Sequence, residues 1–380
     1  MSEPRIKVGS IGLGMIGKVH AIAYNSIPFR YKNPAVTANV QAILRTKTGG
    51  NDALLKTLGG PKIETDADAF YAQDIDLVDI CTPNFLHREQ AQEALVQGKH
   101  VYMEKPLGLN LADAREIAKA AEKAGTITHT AFMMRYYPAV QQARAVLASG
   151  ILGDIYSFRV HYYHNSYMDP NRPTSWRLRH TPSGGGALMD LGVHIIDMTR
   201  YLLGEARWVQ GRTRTFITSR PKSPGSSETV PVDVDDWGVL TVGMENGAMG
   251  TIEATRMSGG VGDSLGVEIL ASNGSVVVTD KDLYHCEYYD QAGKQFHIGA
   301  LDFPMPEGER GKSEIWPDAK LPLTAFTGAH TACIYDLLLN IKEKKQSIVS
   351  FADALKTQEI LEAGYKSAGR NGEMVNLPLD

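Results

Sequence analysis

The feature that most constrains the fold is a glycine-rich segment near the N-terminus, Gly12-Leu13-Gly14-Met15-Ile16-Gly17. It follows an apolar run at residues 6–11 and precedes a helical pattern that we expect to stop near residue 26, because Pro28 follows. In such a strand–loop–helix unit the glycines allow a tight turn, close approach of a pyrophosphate and close helix–strand packing. The helix N-terminus adds N–H donors for phosphate. The segment therefore predicts a dinucleotide site formed by Gly12, Gly14, Met15, Ile16 and Gly17.

Strand and helix patterns alternate through the first part of the chain. Apolar strand-like runs occupy residues 36–44, 76–81, 100–103 and 127–132, and helical patterns occupy 88–97 and 111–124. Strands separated by helices indicate parallel βαβ units. We predict an α/β Rossmann domain with a mostly parallel sheet over residues 1–135.

The pattern changes after residue 136. A helix is expected at 138–149, followed by β-rich segments at 155–163, 208–217, 237–244, 248–255 and 267–279. Asn-Gly turns at 246–247 and 273–274 are typical of hairpins. Residues 221–231 are predicted to be a surface loop, and helices at 329–345 and 350–366 close the chain. This predicts an α+β domain over residues 136–380 with a large open, mostly antiparallel sheet, whose final helix packs back on the first domain.

Composition narrows the class of protein. A chain of 380 residues is too long for one ordinary core, and its net charge of −4 argues against a nucleic-acid binder. The three cysteines have no metal or redox spacing, which favours a reduced, cytoplasmic setting. The sequence shows no secretory signal pattern and no apolar run long enough for a membrane span.

The second strand lacks the acidic residue that usually binds the adenosine ribose. It ends instead in Leu44-Arg45-Thr46-Lys47. Arg45 and Lys47 could hold the 2′-phosphate of NADP, or they could be solvated loop charges. The cofactor is therefore predicted as NAD(H) or NADP(H), without a choice between them.

Two segments carry candidate catalytic residues. Lys105, between Glu104 and Pro106, follows the strand at 100–103, where an open parallel sheet binds its ligands. Asp190 and His194 are four residues apart on a predicted helix that begins near Gly184-Gly185-Gly186 and ends at Gly204. Their surroundings are apolar, so they are either a satisfied core pair, functional groups or metal ligands. Since no third ligand lies close in sequence, no metal is predicted.

These motifs, with Cys81-Thr82-Pro83-Asn84 and His87, together resemble the Gfo/Idh/MocA family of oxidoreductases. The resemblance covers essentially the whole chain. It implies that Lys105, Asp190 and His194 are catalytic. It also implies that the dinucleotide is lined by Thr82, Pro83, Asn84 and His87. By their positions after strands of the parallel sheet, Glu104, Lys105 and Arg45 are further candidates for cofactor binding.

Residues 169–177 and 231–236 are similar to the levoglucosan dehydrogenase branch of that family, which oxidises the C3 hydroxyl of pyranoses or glycosides. That branch uses NAD although it also lacks the acid. The resemblance places Trp176 and Arg177 near the cofactor. Residues 133–137 depart from the branch. The expected substrate-binding residues are Lys105, Arg135, Tyr163, His164, Asp190 and His194.

The sequence thus predicts an enzyme that oxidises a secondary hydroxyl of a pyranose, anhydrosugar or glycoside, at C3. His194 would be the general base, Lys105 would stabilise charge on the oxygen, and Asp190 would orient the sugar or the lysine. The alternatives are an inositol dehydrogenase or oxo-sugar reductase of the same fold, and a regulator that binds the cofactor without turnover. The resemblance also implies a homodimer or homotetramer formed through the open sheet.

Overall fold

The computed structural model describes residues 4–46, 52–260, 262–298, 303–317 and 324–380. Contacts divide the chain into two compact units. The first comprises residues 1–108, 112–136 and 308–355, and the second comprises 109–111, 137–307 and 356–380. The domain bounds 1–135 and 136–380 stay a prediction, and the unit division differs from them by joining residues 308–355 to the first unit.

The first part of the chain alternates strands with helices. In chain order these elements are β1 (Arg5–Ile11), α1 (Met15–Arg30), β2 (Thr37–Leu44), α2 (Asp52–Thr57), β3 (Lys62–Glu64), α3 (Ala67–Tyr71), β4 (Leu77–Ile80), α4 (His87–Val96), β5 (His100–Met103), α5 (Leu111–Ala124) and β6 (Thr128–Thr130).

The remainder is rich in strands and ends in helices. Its elements are α6 (Pro138–Ala148), β7 (Ile155–His164), α7 (His180–Ser183), α8 (Val193–Leu203), β8 (Ala206–Arg214), β9 (Ser219–Pro221), β10 (Thr229–Pro231), β11 (Trp237–Met244), β12 (Met249–Thr255), β13 (Asp263–Ala271), β14 (Gly274–Thr279), β15 (Asp282–Asp290), β16 (Gln295–Ile298), α9 (Lys312–Ile315), α10 (Ala325–Glu343), α11 (Phe351–Gly369) and β17 (Val375–Asn376).

The first unit contains a six-stranded sheet in the order β3-β2-β1-β4-β5-β6. All of its strand pairs are parallel, which confirms the predicted Rossmann sheet. The strand order reverses between β1 and β4, and dinucleotides bind outside the carboxyl ends of the strands at such a switch point. The glycine segment follows β1 directly, so the topology places it there.

The prediction that Pro28 ends the first helix is wrong. Helix α1 continues to Arg30, and the Tyr31 N–H donates to the Ile27 carbonyl at 3.1 Å. Pro28 lies in the last turn, where its missing N–H removes a single helical hydrogen bond. Contacts within the first unit hold this end of α1, because Tyr31 stacks on Tyr335 of α10 with ring centroids 4.0 Å apart.

The second unit contains a nine-stranded sheet in the order β16-β15-β14-β13-β7-β12-β11-β8-β17. Its pairs are antiparallel except for β12 with β7, which confirms a mostly antiparallel sheet. The β-rich run at 267–279 is two strands, β13 and β14, with the turn at Asn273-Gly274. The segment expected to be a surface loop at 221–231 is bounded by the short pair β9 and β10.

Within the described ranges, no helix is both long and apolar enough to cross a membrane. The three cysteines are all buried and unbridged.

Candidate active site

The glycine segment has the geometry that a pyrophosphate site requires. Gly12 has a φ of +93°, and a Cβ on Gly17 would lie 2.4 Å from the Gly12 carbonyl oxygen, so both positions exclude larger residues. A Cβ on Gly14, by contrast, would meet nothing within 4 Å. The main chain at Gly14, which is the N-cap of α1, is therefore open to a phosphate group. These residues fit a dinucleotide.

Main-chain hydrogen bonds bring the end of β2 to this loop. The Gly12 N–H donates to the Leu44 carbonyl at 3.0 Å, and Arg45 follows Leu44 directly. Arg45 therefore lies at the expected ribose end of the site. Lys47, the other candidate for binding a 2′-phosphate, lies outside the described residues.

The segment after β4 forms the other side of the switch point. A Cβ on Gly12 would lie 3.3 Å from the Thr82 methyl carbon, so Thr82 adjoins the glycine loop. Pro83 and Asn84 follow, and Asn84 begins a short 3₁₀ turn. His87 is fully buried, with Nδ1 2.9 Å from the Pro106 carbonyl and Nε2 3.0 Å from the Thr82 carbonyl. These contacts tie the loop after β4 to the Lys105–Pro106 turn, so we infer that His87 positions both loops.

Glu104 and Lys105 follow β5, the next strand of the sheet. Glu104 is buried, and its Oε2 accepts the main-chain N–H of Lys105 at 3.2 Å. Its Oε1 lies 3.2 Å from Nε2 of His20, a buried residue of α1. Burial alone would raise the pKa of Glu104, but its contact with His20 and the charges of His20 and Lys105 lower it to about 2. The carboxylate beside Lys105 is therefore ionised.

His20 connects Glu104 to a second buried acid. Its Nδ1 lies 3.1 Å from both carboxylate oxygens of Asp79 and 3.1 Å from Sγ of Cys81. Burial lowers the pKa of His20, but Cys81 and Asp79 outweigh it and raise that pKa well above its ordinary value. Because burial also raises the pKa of the Cys81 thiol, Asp79 supplies the compensating charge. His20 is thus an imidazolium between two carboxylates, a pairing the sequence did not reveal.

Among the described residues, two groups have the spacing to hold a metal ion, and both include His20. One is His20, Glu104 and His330, and the other is His20, Asp79 and Cys81. A metal ion held by either group would require His20 to release its proton, which the raised pKa of His20 opposes. The absence of a metal site stays a prediction.

In the second unit, three glycines shape the start of the helix that carries Asp190 and His194. Gly184 has a φ of +78°, and a Cβ there would meet the Leu109 carbonyl oxygen at 2.2 Å. A Cβ on Gly185 would meet the Tyr365 hydroxyl at 2.3 Å, and one on Gly186 would meet the Asp235 carbonyl oxygen at 1.8 Å. The glycine run is therefore a steric requirement of this packing.

Asp235 and Tyr365 satisfy the N–H groups that the helix start exposes. Asp235 accepts from the N–H groups of Gly186 and Leu188 at 2.8 and 2.9 Å. The Tyr365 hydroxyl donates to Asp235 at 2.8 Å and lies 3.1 Å from the Met189 N–H. Neither residue was identified from the sequence, since both are far from the glycines along the chain.

The helix begins with a π turn, Leu188–Gly192, before α8 and its end at Gly204. Such turns are common at functional sites because they redirect side chains. Asp190 lies in the π turn and is partly exposed, whereas His194 is buried in the first turn of α8. Asp197 is also buried and accepts a hydrogen bond from the Thr357 hydroxyl at 3.2 Å.

Tyr162 of strand β7 lies next to His194. The two rings are edge to face with centroids 6.4 Å apart. Burial raises the pKa of Tyr162 well above its usual value, and Tyr137, Asp263 and Asp190 raise it further. Neighbouring residues of a strand point to opposite faces. His164 therefore shares the face of Tyr162, as their edge-to-face contact at 4.7 Å indicates.

Tyr163 points to the other face of the sheet. Its hydroxyl donates to Glu253 at 2.7 Å, and its ring stacks on His161 with centroids 4.5 Å apart. The structure thus places His164 on the same face of the sheet as Tyr162, the neighbour of His194, and places Tyr163 on the opposite face. The sequence contains tyrosines at both positions, so only the strand register could separate them.

The remaining predicted residues lie in two short 3₁₀ turns. Trp176 and Arg177 stack on each other in the second unit, with the guanidinium carbon 4.4 Å from the ring centroid. Arg135 lies in the first unit, is buried, and donates to Asp353 at 2.6 Å. Its described contact is therefore an ion pair in the core, and substrate binding by Arg135 stays a prediction.

Comparisons with known proteins agree with this geometry. Residues 6–132 match the model of an oxidoreductase family with an NAD-binding Rossmann fold. Residues 140–277 match the GFO/IDH/MocA C-terminal domain. Levoglucosan dehydrogenase from Pseudarthrobacter phenanthrenivorans is 32% identical over 384 residues, covering 96% of each chain.

The chain belongs to the Gfo/Idh/MocA family. It is an NAD-binding oxidoreductase of that family, related to sugar dehydrogenases. Glucose-6-phosphate 3-dehydrogenase from Bacillus subtilis is 26% identical and is matched over 97% of this chain and 98% of its own length. A solved levoglucosan dehydrogenase in complex with NADH and levoglucosan superimposes with a TM-score of 0.88 at 30% identity, covering 98% of this chain and 99% of that one.

Proposed function

We propose that this protein is an NAD(H)-dependent dehydrogenase that oxidises a secondary hydroxyl, at C3, of a pyranose, anhydrosugar or glycoside. The observation that carries the proposal is the placement of Asp190 and His194 on successive turns of one helix, with Tyr162 against His194. The two curated relatives are named as dehydrogenases of levoglucosan and of glucose 6-phosphate, which supports a sugar as the substrate.

The proposed reaction needs a base and a stabilised oxygen. His194 accepts the hydroxyl proton of the sugar, for which an imidazole is suited near neutral pH. Lys105 donates a hydrogen bond to the same oxygen and stabilises its developing negative charge. Asp190 orients the sugar hydroxyl. Nicotinamide, when bound, would supply the acceptor for the hydride that leaves the carbinol carbon.

Purified protein mixed with NAD and a panel of sugars tests the reaction. With pyranoses or glycosides, we expect the absorbance of reduced nicotinamide to rise. NMR should then detect a 3-oxo sugar as the product. The His194→Ala variant should bind NAD like the parent protein but lose turnover. Unchanged turnover in this variant would remove His194 as the base. Reaction only in the reverse direction, with oxo-sugars and NADH, would favour a reductase.

The proposed cofactor preference is for NAD(H). The family description and the NADH complexes of relatives support it. The competing prediction is that Arg45 holds a 2′-phosphate. These two predictions are separated by measuring kcat/KM for NAD and for NADP, with both the parent protein and the Arg45→Ala variant. A strong NADP preference that Arg45→Ala abolishes would contradict the proposal.

We also propose that the protein is a homodimer or homotetramer. In it, the nine-stranded sheets of two subunits would pair through the face that carries Tyr163. This face presents a polar network in which Glu253 accepts from Trp237 at 2.6 Å and from Tyr163 at 2.7 Å. The likeness to family members that pair their sheets supports this proposal, since an antiparallel sheet can by itself leave a polar face in water. Light scattering should give a mass of two or four chains, and a monomer at micromolar concentration would contradict the proposal.

A further inference from the structure

A fully buried arginine, Arg256, follows the last residue of β12 in the second unit. Its side chain is 1% exposed, and its Nη2 donates to Oδ2 of Asp190 at 3.1 Å. Asp190 itself is 26% exposed, so the pair has one buried member and one that reaches the surface of its unit. The proposed function does not use Arg256.

The main chain fixes the position of Arg256. Its N–H donates to the Asp236 carbonyl at 3.0 Å, and its own carbonyl accepts from the Tyr167 N–H at 3.2 Å. Burying a guanidinium is unfavourable unless a counter-charge offsets the loss of hydration. Burial lowers the pKa of Arg256, but Asp190 and Tyr167 outweigh it, so the pKa is raised and the group is charged.

The same guanidinium contacts two further segments. Its Nη1 donates to the Arg177 carbonyl at 3.4 Å, and its carbon lies 4.9 Å from the centroid of the Tyr167 ring. One side chain therefore joins the π turn, the 3₁₀ turn Trp176–Leu178 and the loop after β7. The π turn carries Asp190, which the proposed function places at the sugar hydroxyl, and the 3₁₀ turn carries Trp176 and Arg177, which the family resemblance places near the cofactor.

We propose that Arg256 is a positioning residue that fixes the Asp190 carboxylate and couples its position to that of the Trp176–Arg177 pair. This inference rests on the proposed function, because it assumes that Asp190 contacts the sugar hydroxyl. Arg256 acts through Asp190 and does not touch the substrate. A buried, charged partner suits this role, since a hydrogen bond between two ionised groups is stronger than one between neutral groups.

Arg220 provides a matched control. It is also fully buried, and its Nη1 and Nη2 donate to the carbonyls of Asp169 and Tyr167 at 2.7 and 2.5 Å. Its guanidinium lies 5.7 Å from the Tyr167 ring centroid. Arg220 thus holds the same loop through main-chain oxygens, whereas Arg256 donates to a carboxylate. Replacing Arg220 tests loop stability without removing the partner of Asp190.

The experiment measures kcat, KM for the best sugar of the panel, Kd for NADH and the melting temperature of full-length variants. We expect Arg256→Met to lower kcat about 100-fold, because a displaced catalytic group loses its alignment. The conservative Arg256→Lys should recover part of kcat, since it restores a positive charge. Arg220→Lys should lower the melting temperature while leaving kcat of the folded enzyme nearly unchanged.

A double variant separates positioning from a general structural effect. If Arg256 acts through Asp190, then Arg256→Met combined with Asp190→Asn should lose no more kcat than Asp190→Asn alone. Multiplicative losses in the double variant would overturn the inference and leave the role of Asp190 intact. Parent-like turnover of Asp190→Asn would instead contradict the proposed function. If Arg256→Met fails to fold, the same cycle with Arg256→Lys decides between these outcomes.

Discussion

The Nε2 atom of His20 lies 3.2 Å from Oε1 of Glu104, while its Nδ1 lies 3.1 Å from both carboxylate oxygens of Asp79. One buried imidazolium therefore separates two buried carboxylates. Because Glu104 also accepts the main-chain N–H of Lys105, the same cluster fixes the chain at the candidate catalytic lysine.

Replacing His20 should be strongly destabilising. His20→Gln removes the positive charge and leaves Asp79 and Glu104 facing each other in the core, which costs about 3–5 kcal/mol of unfolding free energy. Urea unfolding followed by tryptophan fluorescence measures this. His330→Gln is the control, because His330 lies in the same cluster but is neutral. Equal losses for the two variants would contradict the charge assignment of His20.

Because His129 and His330 are buried and neutral, we expect the folded protein to lose stability in acid. Burial, with the charge of Arg135, lowers the pKa of His129 to about 3, and burial with His20 does the same for His330. Below the ordinary value of 6.5 the unfolded chain binds protons that the folded chain does not. Stability should therefore fall as the pH drops from 6.5 to about 3, by up to about 1.4 kcal/mol per pH unit for each histidine.

His129→Gln isolates one of these contributions. Its stability should be less steeply dependent on pH between 6.5 and 4 than that of the parent protein. Unfolding free energies from urea titrations at several pH values provide the measurement. Identical slopes for parent and variant would show that His129 is not held neutral.

Gly14→Ala separates cofactor binding from stability. A Cβ at this position meets nothing within 4 Å, and the φ of −70° suits alanine, so the melting temperature should stay within a few degrees. The methyl group would occupy the space needed by the pyrophosphate, and NADH affinity should fall about tenfold or more. Fluorescence titration with NADH measures the affinity. Gly17→Ala should instead lower the melting temperature, and unchanged NADH affinity in Gly14→Ala would argue against the loop as the phosphate site.

Tyr162→Phe and Tyr163→Phe form a pair with opposite expectations. The Tyr162 ring lies edge to face with His194, and loss of its hydroxyl should reduce kcat/KM for the sugar by about tenfold, the value of one hydrogen bond. Tyr163→Phe loses its bond to Glu253 on the other face and should leave kcat/KM nearly unchanged. Steady-state kinetics on both variants decide this. A larger effect for Tyr163→Phe than for Tyr162→Phe would instead support Tyr163 as the substrate-binding residue.

Local patterns in the sequence located much of the fold. Strand β5 and helix α5 have the predicted bounds, because each is a simple apolar or amphipathic run ended by a glycine or a turn. Strands β15 and β16 were not predicted, since their polar and aromatic residues lack clear alternation. Helix α1 passes Pro28 because contacts with α10 stabilise its last turn.

Sequence motifs identified only the part of the candidate site that lies within short local patterns. Lys105, Asp190 and His194 stand in recognisable local patterns. Arg256 holds Asp190 from 66 residues away, and Asp235 holds the start of its helix from 47 and 49 residues away. Sequence spacing gives no sign of such contacts. Tyr162 and Tyr163 could be told apart only by the register of β7 against β12 and β13.

Hydride transfer from the sugar C3 position tests the central claim most directly. The protein is incubated with NAD and a substrate from the panel that carries deuterium at C3, and the reduced cofactor is analysed by mass spectrometry. We predict reduced nicotinamide that is one mass unit heavier, with no transfer by the His194→Ala variant. Unlabelled reduced cofactor formed from the labelled sugar would contradict oxidation at C3.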